Sequence, residues 1–176
     1  MAKKVRGGVE IDTTRWSAMK KRLLKDQNLE VQVGAFSGAR YGKGNNNLPV
    51  AQVMQWNEEG HRNGGRYDGT YTPPRPFMRT FFFALHKSPV FQKFLALRIK
   101  GIFEGTHSWR NMYEDAGEFV EEGLKMTVDK WSTPPNKAST IKEKGFNDPL
   151  IETGKMRNSI KYRIKKVAAI KMGSGL

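Results

Sequence analysis

The strongest pattern in this chain is a series of apolar residues at helical spacing between positions 112 and 131. Its members follow i, i+4, i+7 and i+8 spacing: Met112, Ala116, Phe119, Val120, Leu124, Val128 and Trp131. This spacing places the apolar side chains on one face of a helix. The pattern predicts one long amphipathic helix near residues 110–131, with its glutamates on the outer face and its end before Pro134-Pro135.

Shorter helical patterns occur on both sides of this helix. They predict helices over about residues 14–26, 49–60, 77–85 and 90–103, and a helical turn at 139–142. Gly60 is a natural stop for the second of these helices. The third, from Phe77 through Phe83 to Leu85, is so rich in apolar groups that we expect it to be buried.

Alternating apolar and polar residues predict strands near both ends of the chain. Residues 29–35 alternate with period two, and Ile160, Tyr162 and Ile164 alternate with basic residues. Residues 167–172 are predicted to return as a further strand. The predicted fold class is α+β, with a small, mainly antiparallel sheet covered by amphipathic helices.

The 176 residues are predicted to form a single domain, 1–176. Within it, the glycine-rich stretch 61–72 is predicted to be a flexible loop, ordered only in an assembly. The prolines at 73, 74 and 76 then stiffen the chain into an extended segment. The C-terminal segment 155–176 is basic.

The charge of the chain is strongly positive and unevenly spread. Lys and Arg number 31 against 17 Asp and Glu, which gives a formal net charge of +14. Residues 153–176 carry seven basic and no acidic side chains, whereas residues 105–152 carry nine acidic and six basic ones. We expect the basic surface to lie near nucleic acid or an acidic partner, although a merely solubilising surface stays possible.

The sequence carries no recognisable catalytic or cofactor motif. Cysteine is absent, which excludes disulfides and thiolate chemistry. The glycines near residue 40 do not form a phosphate-binding loop, no Ser lies in a nucleophile elbow, and the three histidines fit no metal spacing. Glu58-Glu59 is better interpreted as helix-end chemistry or a contact to an Arg than as a metal site. We therefore expect no enzyme activity, no catalytic residue, no metal and no cofactor; no apolar run approaches the roughly 18 residues of a membrane span.

Four segments, in this order, resemble a family of bacteriophage proteins. They are Val31–Phe36, Val50–Gly60, Pro73–Arg79, and the stretch from Pro134-Pro135-Asn136 to Pro149–Ile160. Together they resemble the tail completion or neck proteins of tailed bacteriophages, the virion morphogenesis group that includes minor tail protein Z-like chains. The extended loop 61–72 and the basic tail beyond Ile164 depart from the family pattern and inherit nothing from it.

The resemblance implies a structural protein of the virion, assembled in the host cytoplasm. Such a protein forms part of a homo-oligomeric ring around the DNA channel of the head–tail connector and joins tail to head. Its implied partners are neighbouring neck, tail terminator or tail tube proteins and the genomic DNA, with no membrane. The candidate motif or interface residues are Asn57, Glu58, Gly60, Pro73, Arg75, Pro76, Phe77, Thr153 and Gly154.

The basic C-terminal segment supplies the candidate contacts to the DNA channel or to an acidic neighbour. These candidates are Lys155, Arg157, Lys161, Arg163, Lys165 and Lys166. Attraction to phosphate is independent of sequence, which suits a channel through which DNA passes. The alternative is a non-specific, basic nucleic-acid-binding protein. The number of subunits in the ring, the tail type and the choice between DNA and an acidic protein stay open.

Overall fold

The computed structural model describes the backbone of residues 4–6 and 9–11 and all of residues 13–26, 28–63 and 69–168. The strands are β1 Lys4–Arg6, β2 Val9–Ile11, β3 Leu29–Ala35, β4 His61–Arg62, β5 Tyr71–Thr72 and β6 Ile160–Lys166. The helices are α1 Thr14–Leu24, α2 Val50–Glu59, α3 Phe77–Lys87, α4 Pro89–Glu104, α5 Trp109–Asp129, α6 Ala138–Lys144 and α7 Lys155–Asn158, with a short 3-10 turn at Lys43–Asn45.

The strands form small two-stranded sheets. β1 pairs with β2 and β4 with β5, both antiparallel, and β3 pairs with β6. The Val167 amide donates to the Asn28 carbonyl at 2.9 Å, and Arg163 Nε donates to Gln32 Oε1 at 2.8 Å. Four residues back along β6, from 167 to 163, thus correspond to four residues forward along β3, from 28 to 32. The two strands therefore run antiparallel. The predicted α+β class with one long helix is confirmed.

The chain clusters into two compact units, each assembled from separate stretches of sequence. Unit 1 comprises Met1–Val31, Pro89–Ala116 and Ile164–Leu176, and unit 2 comprises Gln32–Ser88 and Gly117–Arg163. Three elements contain a boundary between the two units within their own sequence: β3, α5 and β6. The single domain 1–176 stays a prediction.

Unit 2 contains a well-formed apolar core. Its buried members come from α2, α3, α5, α7, β6 and the turn before α7: Val50, Met54, Phe77, Leu124, Val128, Leu150, Met156 and Ile160. Phe77, Val50, Leu124 and Ile160 are fully buried. Because each such side chain contributes roughly 1.5–3 kcal/mol on burial, this core is the main source of stability in unit 2.

Two glycines on α5 let aromatic rings lie directly on the helix backbone. A Cβ at Gly117 would collide with the ring of Tyr162, and a Cβ at Gly123 would lie 2.7 Å from Phe81 Cε2. Real Cβ atoms do not approach carbon that closely. Gly117 and Gly123 therefore leave the space that the rings of Tyr162 and Phe81 occupy, and all four residues lie in unit 2.

Unit 1 is built differently, around α1, α4 and the first turns of α5. α1 buries none of its side chains, and α4 buries only Gly101 and Ile102. Among the described residues of unit 1, the buried apolar side chains are Leu29, Ile102, Met112 and Ala116. Polar contacts add to them: Trp109 Nε1 donates to the Leu23 carbonyl at 3.1 Å, and Arg98 Nε lies 2.5 Å from Asp115 Oδ2.

Three of the predictions about burial are wrong. Phe82 and Phe83 were expected inside, yet they are 39% and 65% exposed, because only one face of α3 meets the core. Phe119 is half-buried, in contrast to its fully packed neighbours on α5. Glu121, expected on the outer face of α5, is only 8% exposed.

Two predictions about chain segments also need revision. The ends of the predicted loop 61–72 are paired as strands, with His61 opposite Thr72 and Arg62 opposite Tyr71. Residues 64–68 lie outside the described part of the chain. Of the strand predicted at 167–172, residues 167 and 168 follow β6 without strand structure, and residues 169–172 are outside the described residues.

Candidate functional site

Most of the candidate motif residues meet in unit 2, where α2 is linked to α3. We call residues 57–60 and 73–77 the α2–α3 joint. The Arg75 amide donates to the Asn57 carbonyl at 2.6 Å. The Asn57 side chain in turn donates from Nδ2 to the Val53 carbonyl at 2.8 Å, within α2. Asn57 thus fixes the end of α2 to the proline-rich segment that precedes α3.

Gly60 allows the two halves of the joint to approach each other. Its φ of +74° lies in the region that favours glycine. A Cβ at this position would lie 2.5 Å from Tyr71 Oη and 2.9 Å from the backbone nitrogen of Pro74. Both the backbone conformation and the available space therefore require glycine at position 60.

Glu58 caps the N-terminus of α3. Its Oε2 accepts from the Met78 amide and its Oε1 from the Arg79 amide, both at 3.0 Å. Arg79 Nε lies 3.5 Å from the same carboxylate. A carboxylate at this position satisfies amides that have no partner within the helix and is stabilised by the helix dipole. The structure thus agrees with the interpretation of Glu58 as helix-end chemistry.

Arg75 turns inward and joins three separate stretches of unit 2. Its guanidinium donates to the carbonyls of Pro134 at 3.2 Å, Pro149 at 3.2 Å and Pro135 at 3.4 Å, and to Asn136 Oδ1 at 3.2 Å. The residue is only 7% exposed, and this burial lowers the pKa of the guanidinium from its usual value. We refer to Arg75 and these four acceptors as the Arg75 node.

The other motif residues also have roles within the subunit. Phe77 is fully buried in the core, and Pro76 is the residue that precedes α3. Gly154 adopts a φ of +72° at the start of α7, beside Thr153, whose Oγ1 accepts from the Lys155 amide at 3.4 Å. Pro73 is half-buried. The role of these residues at an interface stays a prediction.

The basic candidates of unit 2 differ in how far they are engaged. Lys155 is exposed, whereas Arg157 Nε lies 2.7 Å from Asp129 Oδ1, and this hydrogen bond raises the pKa of Arg157. Lys161 Nζ lies 3.3 Å from Glu121 Oε1. Arg163 donates to Gln32 and stacks over the ring of Phe36 at 4.1 Å.

The remaining two basic candidates, Lys165 and Lys166, are exposed at the end of β6 in unit 1. Along β6, Lys161, Arg163 and Lys165 alternate with Ile160, Tyr162 and Ile164, so the three basic side chains share one face of the strand. The structure places these three together on β6 and Lys155 and Arg157 on α7.

Glu121 is a functional candidate that the sequence interpretation missed. Its carboxylate accepts from Lys125 Nζ at 2.6 Å and from the Tyr162 amide at 2.8 Å, in addition to Lys161. Burial acts to raise the pKa of Glu121, but these hydrogen bonds and the charge of Lys125 outweigh burial and lower it. The hydrogen bond to Glu121 correspondingly raises the pKa of Lys125. A single carboxylate thus links α5 to β6.

Two concave surfaces lie in unit 2. One is an open, charged cleft of about 430 Å³ lined by Glu118, Glu121, Glu122, Lys161 and Tyr162. The other is a more apolar groove of about 510 Å³ lined by residues 32–36 of the β3 segment, by Ala51, Met54, Gln55, Glu58 and Glu59 of α2, and by Met78 of α3. We call the second surface the β3 groove.

Among the residues that the structure describes, no cluster of three or more His, Asp or Glu side chains is arranged to hold a metal ion. None of the described helices combines the length and the apolar character needed to cross a membrane.

Comparison with known proteins gives no relative for this chain. No family model matches it, and neither a curated protein nor a solved structure is significantly similar to it.

Proposed function

We propose that this chain is a non-enzymatic structural protein of a phage virion, which joins tail to head as part of a homo-oligomeric ring around the DNA channel. The observation that carries this proposal is the α2–α3 joint with its Arg75 node. The motif segments that resemble the neck family, though separated by up to 74 residues, are tied together here by hydrogen bonds from Arg75. This contact supports a common structural role for the motifs.

The distribution of charge gives further support. A ring made of identical subunits requires two different patches that complement each other. A cleft on α5 is lined by Glu118, Glu121 and Glu122, while Lys155 on α7 and Lys165 and Lys166 at the end of β6 are exposed basic side chains outside that lining. Diffuse positive charge also suits a channel for DNA, because it attracts phosphates without reading bases.

The first test is the quaternary structure of the purified full-length chain. Sedimentation and negative-stain images should reveal closed rings of one size. In the virus, particles assembled without the chain should accumulate as unjoined heads and tails, and supply of the chain in trans should restore joining. Normal joining without the chain would contradict the proposal.

The alternative is a non-specific nucleic-acid-binding protein, favoured by the exposed Lys155, Lys165 and Lys166. It predicts tight binding of the monomer to duplex DNA, with log affinity falling at a slope of about −0.9 per phosphate contacted as log salt increases. Replacement of Lys161, Arg163, Lys165 and Lys166 by Gln should flatten that slope. Replacement of the exposed Lys20, Lys21, Lys25 and Lys43 by Gln is the charge-matched control.

Under the ring proposal, the isolated subunit binds duplex DNA weakly and the two quadruple variants bind it equally weakly. Tight, salt-dependent binding by the monomer that only the β6 variant loses would favour the alternative.

A further inference from the structure

The outward side of α3 in unit 2 is both aromatic and basic. At helical spacing it carries Arg79, Phe82, Phe83, His86 and Lys87, which we call the α3 face. Both phenylalanines are exposed, and α3 contains no acidic residue. The opposite side of the helix packs against the core of unit 2. Exposed aromatic side chains beside an arginine are typical of the centre of a protein–protein interface.

The aromatic side chains of the α3 face are held in place within the subunit. The Phe82 ring meets the Phe81 ring edge-on, with centroids 5.2 Å apart, and Phe81 in turn contacts Gly123 of α5. Lys87 Nζ lies 4.1 Å from the centroid of the Phe83 ring. Side chains that are ordered before binding lose less entropy on binding, so the α3 face is suited to a rigid contact.

The two permanent cations of the α3 face differ in what they already contact. Arg79 Nε lies 3.5 Å from Glu58 Oε1, the carboxylate that caps α3. Lys87 has no carboxylate partner among the described residues, and its printed contact is the ring of Phe83. Lys87 is therefore the cation of the α3 face that is available to a carboxylate of another molecule.

The cleft that α5 lines in unit 2 offers the complementary charge, and we call it the α5 cleft. Glu121 is satisfied there by three donors, and Glu122 lies 3.1 Å from Lys125 Nζ. Glu118 is exposed and has no ion-pair partner among the described residues. Glu118 and Glu122 are one turn apart on α5, where like charges repel each other. A further cation between these two carboxylates would remove this repulsion.

The α3 face and the α5 cleft lie on different sides of unit 2. Gly123, which Phe81 of α3 contacts, is about 100° around the α5 axis from Glu122 and about 140° from Glu118. α3 therefore lies beside a different face of α5, and its own outward side points away from α5. One subunit consequently presents both surfaces at the same time, as a head-to-tail contact requires.

We propose that the α3 face of one copy of this chain docks on the α5 cleft of the next copy, with Lys87 between Glu118 and Glu122. Phe82 and Phe83 cover the cleft around these charges and exclude water from them. The inference rests on the proposed ring and names its subunit contact. The two surfaces are complementary, because α3 has no acid whereas three glutamates and one lysine line the cleft.

The composition of the α3 face favours a protein partner over nucleic acid. A phosphate backbone would satisfy Arg79 and Lys87 but would leave the two phenylalanines in water. One side of the Phe83 ring is already occupied by Lys87, and Phe82 is in contact with Phe81, so neither ring is open on both sides for base stacking. A protein surface instead removes both rings from water, which is the larger gain.

Charge exchange between two copies tests this contact in the full-length chain. Lys87→Glu and Glu118→Lys each place like charges opposite each other, and each should weaken ring formation, measured by sedimentation, at least about tenfold. An equimolar mixture of the two variants should restore assembly, because every contact between alternating copies again pairs opposite charges. Rescue in the mixture also distinguishes this contact from one within a single subunit.

Matched variants control for charge and for the loss of an apolar side chain. Lys142→Glu on α6 and Glu59→Lys at the end of α2 reverse exposed charges outside both surfaces and should leave assembly unchanged. Phe83→Ala should weaken assembly at least about tenfold, as expected of an aromatic residue central to an interface. Phe103→Ala, at an exposed phenylalanine of α4, should not. Because all these side chains are exposed, every variant should unfold thermally as the wild type does.

Intact rings in both Lys87→Glu and Glu118→Lys, or no rescue in their mixture, would overturn the inference and leave the proposed function standing. Normal rings that fail to join heads to tails in Lys87→Glu would overturn it in favour of another acidic protein. Loss of duplex binding in Lys87→Glu with normal rings would overturn it in favour of DNA. A monomeric wild-type chain would also overturn it, and if that chain has no effect on joining, the proposed function falls as well.

Discussion

The two units of this chain keep their shape by different means. In unit 2 the side chains that carry the architecture are buried, and the apolar core, the Arg75 node and Glu121 each join stretches distant in sequence. In unit 1 the pair of helices α1 and α4 leaves large apolar side chains exposed: Trp16, Leu24, Val90, Leu97, Ile99 and Phe103. Chemically similar residues should therefore contribute very differently in the two units.

The largest contrast is expected between two helical leucines. Leu124 on α5 is fully buried in unit 2, whereas Leu97 on α4 is 55% exposed in unit 1. Leu124→Ala should lower the free energy of unfolding by about 2–5 kcal/mol, because it removes apolar contacts and leaves a cavity. Leu97→Ala should change it by less than about 0.5 kcal/mol. Equal losses of unfolding free energy in the two variants, measured by chemical denaturation, would contradict this difference between the units.

A smaller contrast is expected between two arginines. Arg75→Lys replaces a planar fork that reaches four acceptors with a single ammonium group, and should cost about 1–3 kcal/mol. The matched variant is Arg98→Lys, since Arg98 pairs with Asp115 where both side chains are 33% exposed. For a partly exposed ion pair we expect a change of at most about 1 kcal/mol. Thermal unfolding of both variants measures the difference, and a greater loss for Arg98→Lys would contradict it.

The smallest expected difference is in how stability depends on acidic pH when a glutamate of either unit is replaced. The folded state holds the pKa of Glu121 below its ordinary value of 4.5, so the carboxylate stabilises the fold at higher pH. That contribution is fully present above pH 4.5 and is lost as the pH falls through the lower, folded-state pKa. Glu121→Gln should therefore flatten the dependence of stability on pH below 4.5. Glu104→Gln, at a 55% exposed residue of unit 1, is the matched control. The prediction is contradicted if the free energy of unfolding of the wild type and of Glu121→Gln falls equally as the pH decreases below 4.5.

Local signals in the sequence were sufficient for most elements of the fold. The alternation of residues 29–35 predicted β3, the helical spacing near residue 112 predicted α5, and Gly60 marked the end of α2. These signals are carried by neighbouring residues, which decide backbone conformation and the face that is apolar. The same signals predicted that Phe83 would be buried, because apolar density does not show how wide the buried face of a helix is.

The candidate site depended on contacts that local patterns do not contain. Glu121 is buried because Lys161 and the Tyr162 amide, some 40 residues later, satisfy its carboxylate. Arg75 was recognised as part of a motif, but its inward direction is set by carbonyls at positions 134, 135 and 149. From the sequence alone, a charged residue is predicted to be exposed, because the distant partners that would allow its burial are not known.

Gly117 and Gly123 on α5 are exceptions to a familiar rule of helix engineering. Glycine costs a helix about 1 kcal/mol relative to alanine, so replacing an interior glycine by alanine is a standard way to raise thermal stability. At Gly117 and Gly123 the added methyl group would occupy the space of Tyr162 and Phe81. A stabilisation scheme based on helix propensity alone would choose these two positions first, and here it would displace the aromatic rings that join α5 to β6 and α3.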